Sequence, residues 1–179
     1  MATEILERPT SLRPKPMVRF SELKPDLNFR AELERKHGSS VAAGYVDTFN
    51  ALRETPFKQD KRLDLSLAHL APLSVGQLLE KPDLTLEQLN HLKESSKSVS
   101  ATTAFDPVRE RANLVYHLIT AKAIHEHGLK VFFPPEKAKP FTSATPQEMK
   151  LRLADAAQLP HLPPEVAHYL LSAARKIQR

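Results

Sequence analysis

The chain is 179 residues long, 41% hydrophobic and 26% charged, with a formal net charge of +5, fifteen prolines, four glycines and no cysteine. This is too apolar for wholesale disorder, and a folded chain of such size buries roughly 70% of the surface its unfolded form exposes, so it can build a core. The missing cysteines exclude disulfides, thiolate nucleophiles and thiolate metal sites, and the scarce, isolated glycines leave no glycine-rich phosphate loop and disfavour tight β-hairpins.

Residues 1–25 read as an extended basic arm. Pro9, Pro14, Pro16 and Pro25 break the segment, Arg8, Arg13, Lys15, Arg19 and Lys24 make it cationic, and Met17, Val18, Phe20 and Leu23 add apolar anchors. Proline fixes φ and removes a donor, so the segment favours an extended course and loses less entropy on lying along a partner. The expectation is an arm too stiff and too cationic to pack on its own domain, ordered instead by a neighbour. Its partner-binding residues would be Arg8, Arg13, Lys15, Met17, Arg19, Phe20 and Leu23.

Residues 26–133 read as a central helical domain. Asp26 can cap a short helix carrying Phe29 and Leu33 and ending near Gly38; Ser39 or Ser40 then opens a second, on which Ala42, Tyr45, Val46, Phe49 and Leu52 recur at helical spacing until Pro56. Residues 55–72 mix strand-like alternation with helical spacing and read as irregular. A short helix is expected over Ser74–Lys81, and a second from Thr85 with Leu86, Leu89 and Leu92, dissolving at Ser95-Ser96-Lys97-Ser98. Asp106-Pro107 is a strong start signal for the central helix, which runs to Gly128 with Val108, Ala112, Val115 and Ile119 on one row and Leu114, Leu118 and Ala121 on the next. Leu129 to Phe133, ahead of Pro134-Pro135, reads as extended, apolar and packed against the domain as it exits.

Residues 134–144 form a proline- and lysine-rich linker, and 145–179 a C-terminal helical hairpin. Thr145-Pro146-Gln147-Glu148 is a capping box with proline at the first helical position. A helix with Met149, Leu153 and Ala157 follows, then a turn at Pro160, Pro163 and Pro164, then a helix with Val166, Leu170, Ala173 and Ile177. This hairpin either folds onto the central domain or stands apart. The fold class is all-α: a small multi-helix domain with an extended proline-rich basic arm and a C-terminal hairpin.

Function is less legible. His117, His125 and His127 lie late on the central helix, but spacings of eight and two do not aim ligands at one ion, so no metal is expected. No nucleophile elbow or triad pattern is present, and neither catalytic residues nor a cofactor nor a small-molecule substrate is evident. The expected role is non-enzymatic: a structural or adaptor subunit of a larger multi-protein assembly, such as a virion, a secretion or conjugation machine or a large enzyme complex, docking through the arm and the apolar faces of its helices. The alternative is a nucleic-acid-binding accessory protein, electrostatic and weakly selective, with Arg175, Lys176 and Arg179 joining the arm as candidate phosphate contacts. The opening residues lack the order of a secretory signal and no stretch has the length of a membrane span, so the expected location is the cytoplasm or a particle assembled there.

Overall fold

The computed structural model describes residues 19–53, 70, 73–102, 106–134 and 140–177. The protein is all-α, with seven helices and no strand among the described residues. Helix α1 (Leu27–His37) starts because the Asp26 carboxylate accepts the amides of Asn28 and Phe29, and it stops at Gly38, whose φ of 96° suits a residue without a Cβ. Helix α2 (Ser39–Arg53) turns back on it. Tyr45 is the hinge of their shared cluster, its ring 5.0 Å from Phe29 and 4.9 Å from Phe49, with Leu33 closing the group.

Of the irregular segment expected over 55–72, only Leu70 lies within the described residues, where it is buried. Helix α3 (Val75–Glu80) is six residues long and opens with a reciprocal cap between Ser74 and Gln77. Thr85 and Gln88 make the same exchange at the start of α4 (Leu86–Thr102). That helix runs further than its serines suggested. Ser95 and Ser96 are buried, and the Ser96 hydroxyl donates back to the Leu92 carbonyl at 3.2 Å, a bond that satisfies the side chain without leaving the helix.

Helix α5 (Asp106–His127) is central, with Leu118, Ala121 and Ala123 wholly buried, and α4 lies along it. Gly128, at φ 60°, ends it. The residues that follow correct the expectation of an extended exit: Gly128–Val131 form a 3-10 turn, closed by Phe132 and Phe133 amides donating to the Leu129 carbonyl. The segment does pack against the domain, with Val131 buried, but as a turn and not as an extended strand.

The C-terminal hairpin packs on the centre. Helix α6 (Pro146–Ala157) opens on the Thr145–Glu148 capping box, and α7 (Pro164–Lys176) lays Val166, Leu170 and Ala173 against α5. Within the stretch read as a linker, 135–139 lie outside the described residues, while Phe141 and Ala144 are buried in the main core.

Helix α3 is pressed closest to its neighbours at Gly76. A Cβ there would stand 2.7 Å from the Leu52 carbonyl oxygen and 2.7 Å from the Ser21 amide nitrogen, both backbone atoms that cannot turn aside. At Gly44 on α2 a Cβ would meet only the His161 side chain, at 3.4 Å. Gly76→Ala should therefore lower the melting temperature by roughly 6 to 12 °C, the overpacking cost of about 3 kcal/mol. Gly44→Ala should leave it unchanged or raise it by up to about 3 °C through better helix propensity. Circular-dichroism melts of the two variants check the contrast.

Candidate functional site

The arm meets the domain at residues 19–26. Arg8, Arg13, Lys15 and Met17 lie outside the described residues. Arg19 is exposed and pairs with Glu22 at 3.3 Å, an open surface contact of little energetic weight. Phe20 and Leu23 are the corrections. Phe20 begins a 3-10 turn (Phe20–Glu22) and is 2% exposed, its ring standing edge-on to Tyr169 of α7 at 4.9 Å. Leu23 is half-buried between the two apolar clusters. Both side chains therefore belong to the domain's own core, because an apolar ring gains more by filling a preformed hollow than a nearby cluster of cations costs.

Polar contacts fix the same segment. The Ser21 amide donates to a Glu80 carboxylate oxygen at 3.1 Å, and the Ser21 hydroxyl lies 2.9 and 3.0 Å from the two oxygens. The Asp26 amide donates to the Tyr45 hydroxyl at 3.0 Å. Glu80 ends α3, where the helix dipole disfavours a carboxylate; Lys122 of α5 offsets this from beneath. Lys122 is 2% exposed, donates to the carbonyls of Leu79 at 2.9 Å and Lys81 at 2.7 Å, and pairs with Glu126.

The histidines of α5 do not converge. His125 Nε2–H donates to the Tyr169 carbonyl at 3.1 Å and its ring lies tilted at 41° to the Tyr169 ring, with centroids 4.6 Å apart, while His127 Nε2–H donates to the Leu84 carbonyl at 2.9 Å. Among the described residues no three His, Asp or Glu side chains gather as a metal site. Arg175 and Lys176 are exposed in the last turn of α7, where its negative end favours them, and Arg179 lies outside the described residues. Lys176 lies two turns beyond Tyr169 on one row of α7, and Tyr169 is the residue that meets Phe20.

A cleft of about 960 Å³ opens elsewhere, between α4, the first half of α5, α6 and residues 140–143. At its floor Lys93 is 2% exposed, with its ammonium 4.2 Å from the centre of the Phe141 ring and 3.4 Å from the Glu94 carboxylate. Burial pushes the Tyr116 phenol up, against the pull of Arg152. Burial and Arg152 together push His117 down, and the His117 Nδ1 is buried without a hydrogen-bond partner. At the far end burial lowers His161 against the opposing charge of Glu110, and a second hollow of about 410 Å³ continues from there toward α2. Sequence reasoning missed this cleft. Its one legible signal was Lys93, a cation four residues after Leu89 on an apolar row.

No known protein family, curated protein or solved structure matches this chain.

Burial holds His117, His125 and His161 below the ordinary histidine value of 6.5. The unfolded chain then takes up protons that the folded chain refuses, so the stability these groups contribute is whole above about pH 6.5 and is lost as pH falls toward their folded values. Proton NMR titration should find all three imidazoles titrating below 6.5, with the melting temperature falling on acidification from that point. A melting temperature that rises between about pH 6.5 and 5 contradicts the assignment.

Proposed function

We propose that this protein is a non-enzymatic structural or adaptor subunit of a larger multi-protein assembly, which its helical domain joins through the basic, proline-rich residues 1–18. The observation that carries this reading is the fixed root of that arm. Phe20 in the core, Ser21 on Glu80 and the close approach at Gly76 hold residue 20 at one place on the domain, so residues 1–18, joined to it through Arg19, start from a defined point. A segment leashed in this way meets its partner at a raised effective concentration once the domain is nearby. Arg8, Arg13, Lys15 and Met17, with the exposed Arg19, remain the docking residues of the proposal, and mostly exposed Phe133 and Leu151 add apolar contact points on the domain.

The second reading is nucleic-acid binding, and the observation favouring it is that Lys176 lies two turns along α7 on the row of Tyr169, the residue that meets Phe20 at the root of the arm. Arm and helix end would then form one cationic surface.

The test is a variant lacking residues 1–18, which keeps Arg19 onward and hence the whole root. In extracts of the native cells the full chain should elute well above monomer size, and the shortened chain should elute as a monomer with unchanged helical content and melting temperature. Equal elution of the two would overturn the docking role. If the second reading holds instead, the full chain binds duplex DNA with an affinity whose logarithm falls against log salt with a slope of roughly −3 to −4, for four phosphate contacts.

A further inference from the structure

Three rings follow one another from the root of the arm to the central helix. Phe20 meets Tyr169 of α7 at 4.9 Å, and Tyr169 meets His125 of α5 at 4.6 Å. The His125 Nε2–H also holds the Tyr169 backbone, donating to its carbonyl at 3.1 Å. A carbonyl oxygen can only accept, so Nε2 carries the hydrogen of the neutral imidazole and Nδ1 is where a second proton must go. The residue that orders the partner of Phe20 is thus one that titrates near neutral pH.

That second proton would arrive among cations. Burial opposes it most, and Lys176 and His168 of α7 and Lys122 of α5 oppose it further. Lys122 stands one turn before His125 on the same row, buried with its ammonium on the Leu79 and Lys81 carbonyls. The carboxylates around the interface are already engaged: Glu126 by Lys122, Glu80 of α3 by Ser21, and Glu22 of the root turn by Arg19 at the surface. Only the Tyr169 carbonyl and the negative end of α5 favour an imidazolium, and they do not offset burial and three cations, so His125 lies below the ordinary 6.5. An opening that gives His125 back to water therefore binds the proton more readily than the closed form, and acid shifts the balance toward it.

We propose that His125 is a pH-sensitive latch on the root of the arm: neutral, it holds Tyr169 and with it the seat of Phe20 and Ser21; protonated, it loosens α7 from α5 and frees that seat before the rest of the domain opens. As a control on docking this rests on residues 1–18 being the docking arm, whereas the latch itself is a property of the folded domain.

The experiment is native-state hydrogen exchange of the full-length protein at pH 7 and pH 5, with the Ser21 amide compared with the buried amides around Leu118. At pH 5 the protection of Ser21 should have fallen about five- to thirtyfold more than that of Leu118, the range for a histidine that titrates near 6.5 in the open form and lower in the closed one. His125→Gln retains an amide donor for the Tyr169 carbonyl but cannot titrate, and should abolish the extra loss. Lys176 is exposed, so Lys176→Glu should keep the fold, raise the midpoint of the His125 ring in an NMR titration and shrink the loss at Ser21. This second variant decides the matter if glutamine disturbs the packing. The latch is overturned if Ser21 and Leu118 lose protection in step, if the gap survives in a folded His125→Gln variant, or if Lys176→Glu moves neither the midpoint nor the loss. Should docking alone be wrong, removal of residues 1–18 would leave elution unchanged while Ser21 still responded to acid.

Discussion

The seat of Phe20 and Ser21 against α3 is the contact on which the rest of the molecule's organisation depends. An amide, a hydroxyl and an aromatic ring arrive there within two residues, and each needs a different kind of partner. Glu80 takes the two donors, Tyr169 receives the ring, and Gly76 leaves the space through which the backbone passes. None of the three suffices alone. Hydrogen bonds to a carboxylate are worth about 1.5 to 3 kcal/mol, and a buried phenyl ring about as much again, which together exceed the backbone entropy of ordering two residues.

That seat rests on the polar side chains of the central helix. A carboxylate at the end of a six-residue helix would be poorly placed if the last carbonyls of α3 were left bare. Lys122 supplies both carbonyls with donors and puts a cation under the negative end of the helix, so a lysine in the middle of an apolar face becomes a structural cap. His127 does the same for the Leu84 carbonyl and His125 for that of Tyr169. Helix α5 thus holds its neighbours by their backbones as well as by packing. The surface pair of Arg19 and Glu22 decides nothing by comparison, because water screens both charges.

How much of this was legible in the sequence depended on the range of the interaction. Asp26, Gly38, Gly128 and the Thr145–Glu148 box act within one helical turn, and they mark helix ends where the structure has them. The serines of α4 misled because their alternative partner, a carbonyl four residues back, keeps the helix intact when the site is buried. Residues 129–133 misled because apolar spacing cannot tell an extended exit from a tight turn that returns to the core. Phe20 reads as an anchor for another molecule because its ring partner Tyr169 is 149 residues away, and Glu80, which holds the neighbouring Ser21, is 59 residues from that serine. The cleft was hidden for the same reason: Lys93, Phe141 and Arg152 come together only through the packing of α6 on α5.

The central claim is that the domain begins at the root of the arm and holds it as firmly as its core. Native-state hydrogen exchange at the Ser21 amide tests this most directly. If the root is part of the fold, that amide is protected to nearly the same free energy as the buried amides around Leu118 in α5, and both respond alike to mild denaturant. Exchange of the Ser21 amide at the rate of a free peptide, with α5 still protected, would contradict it.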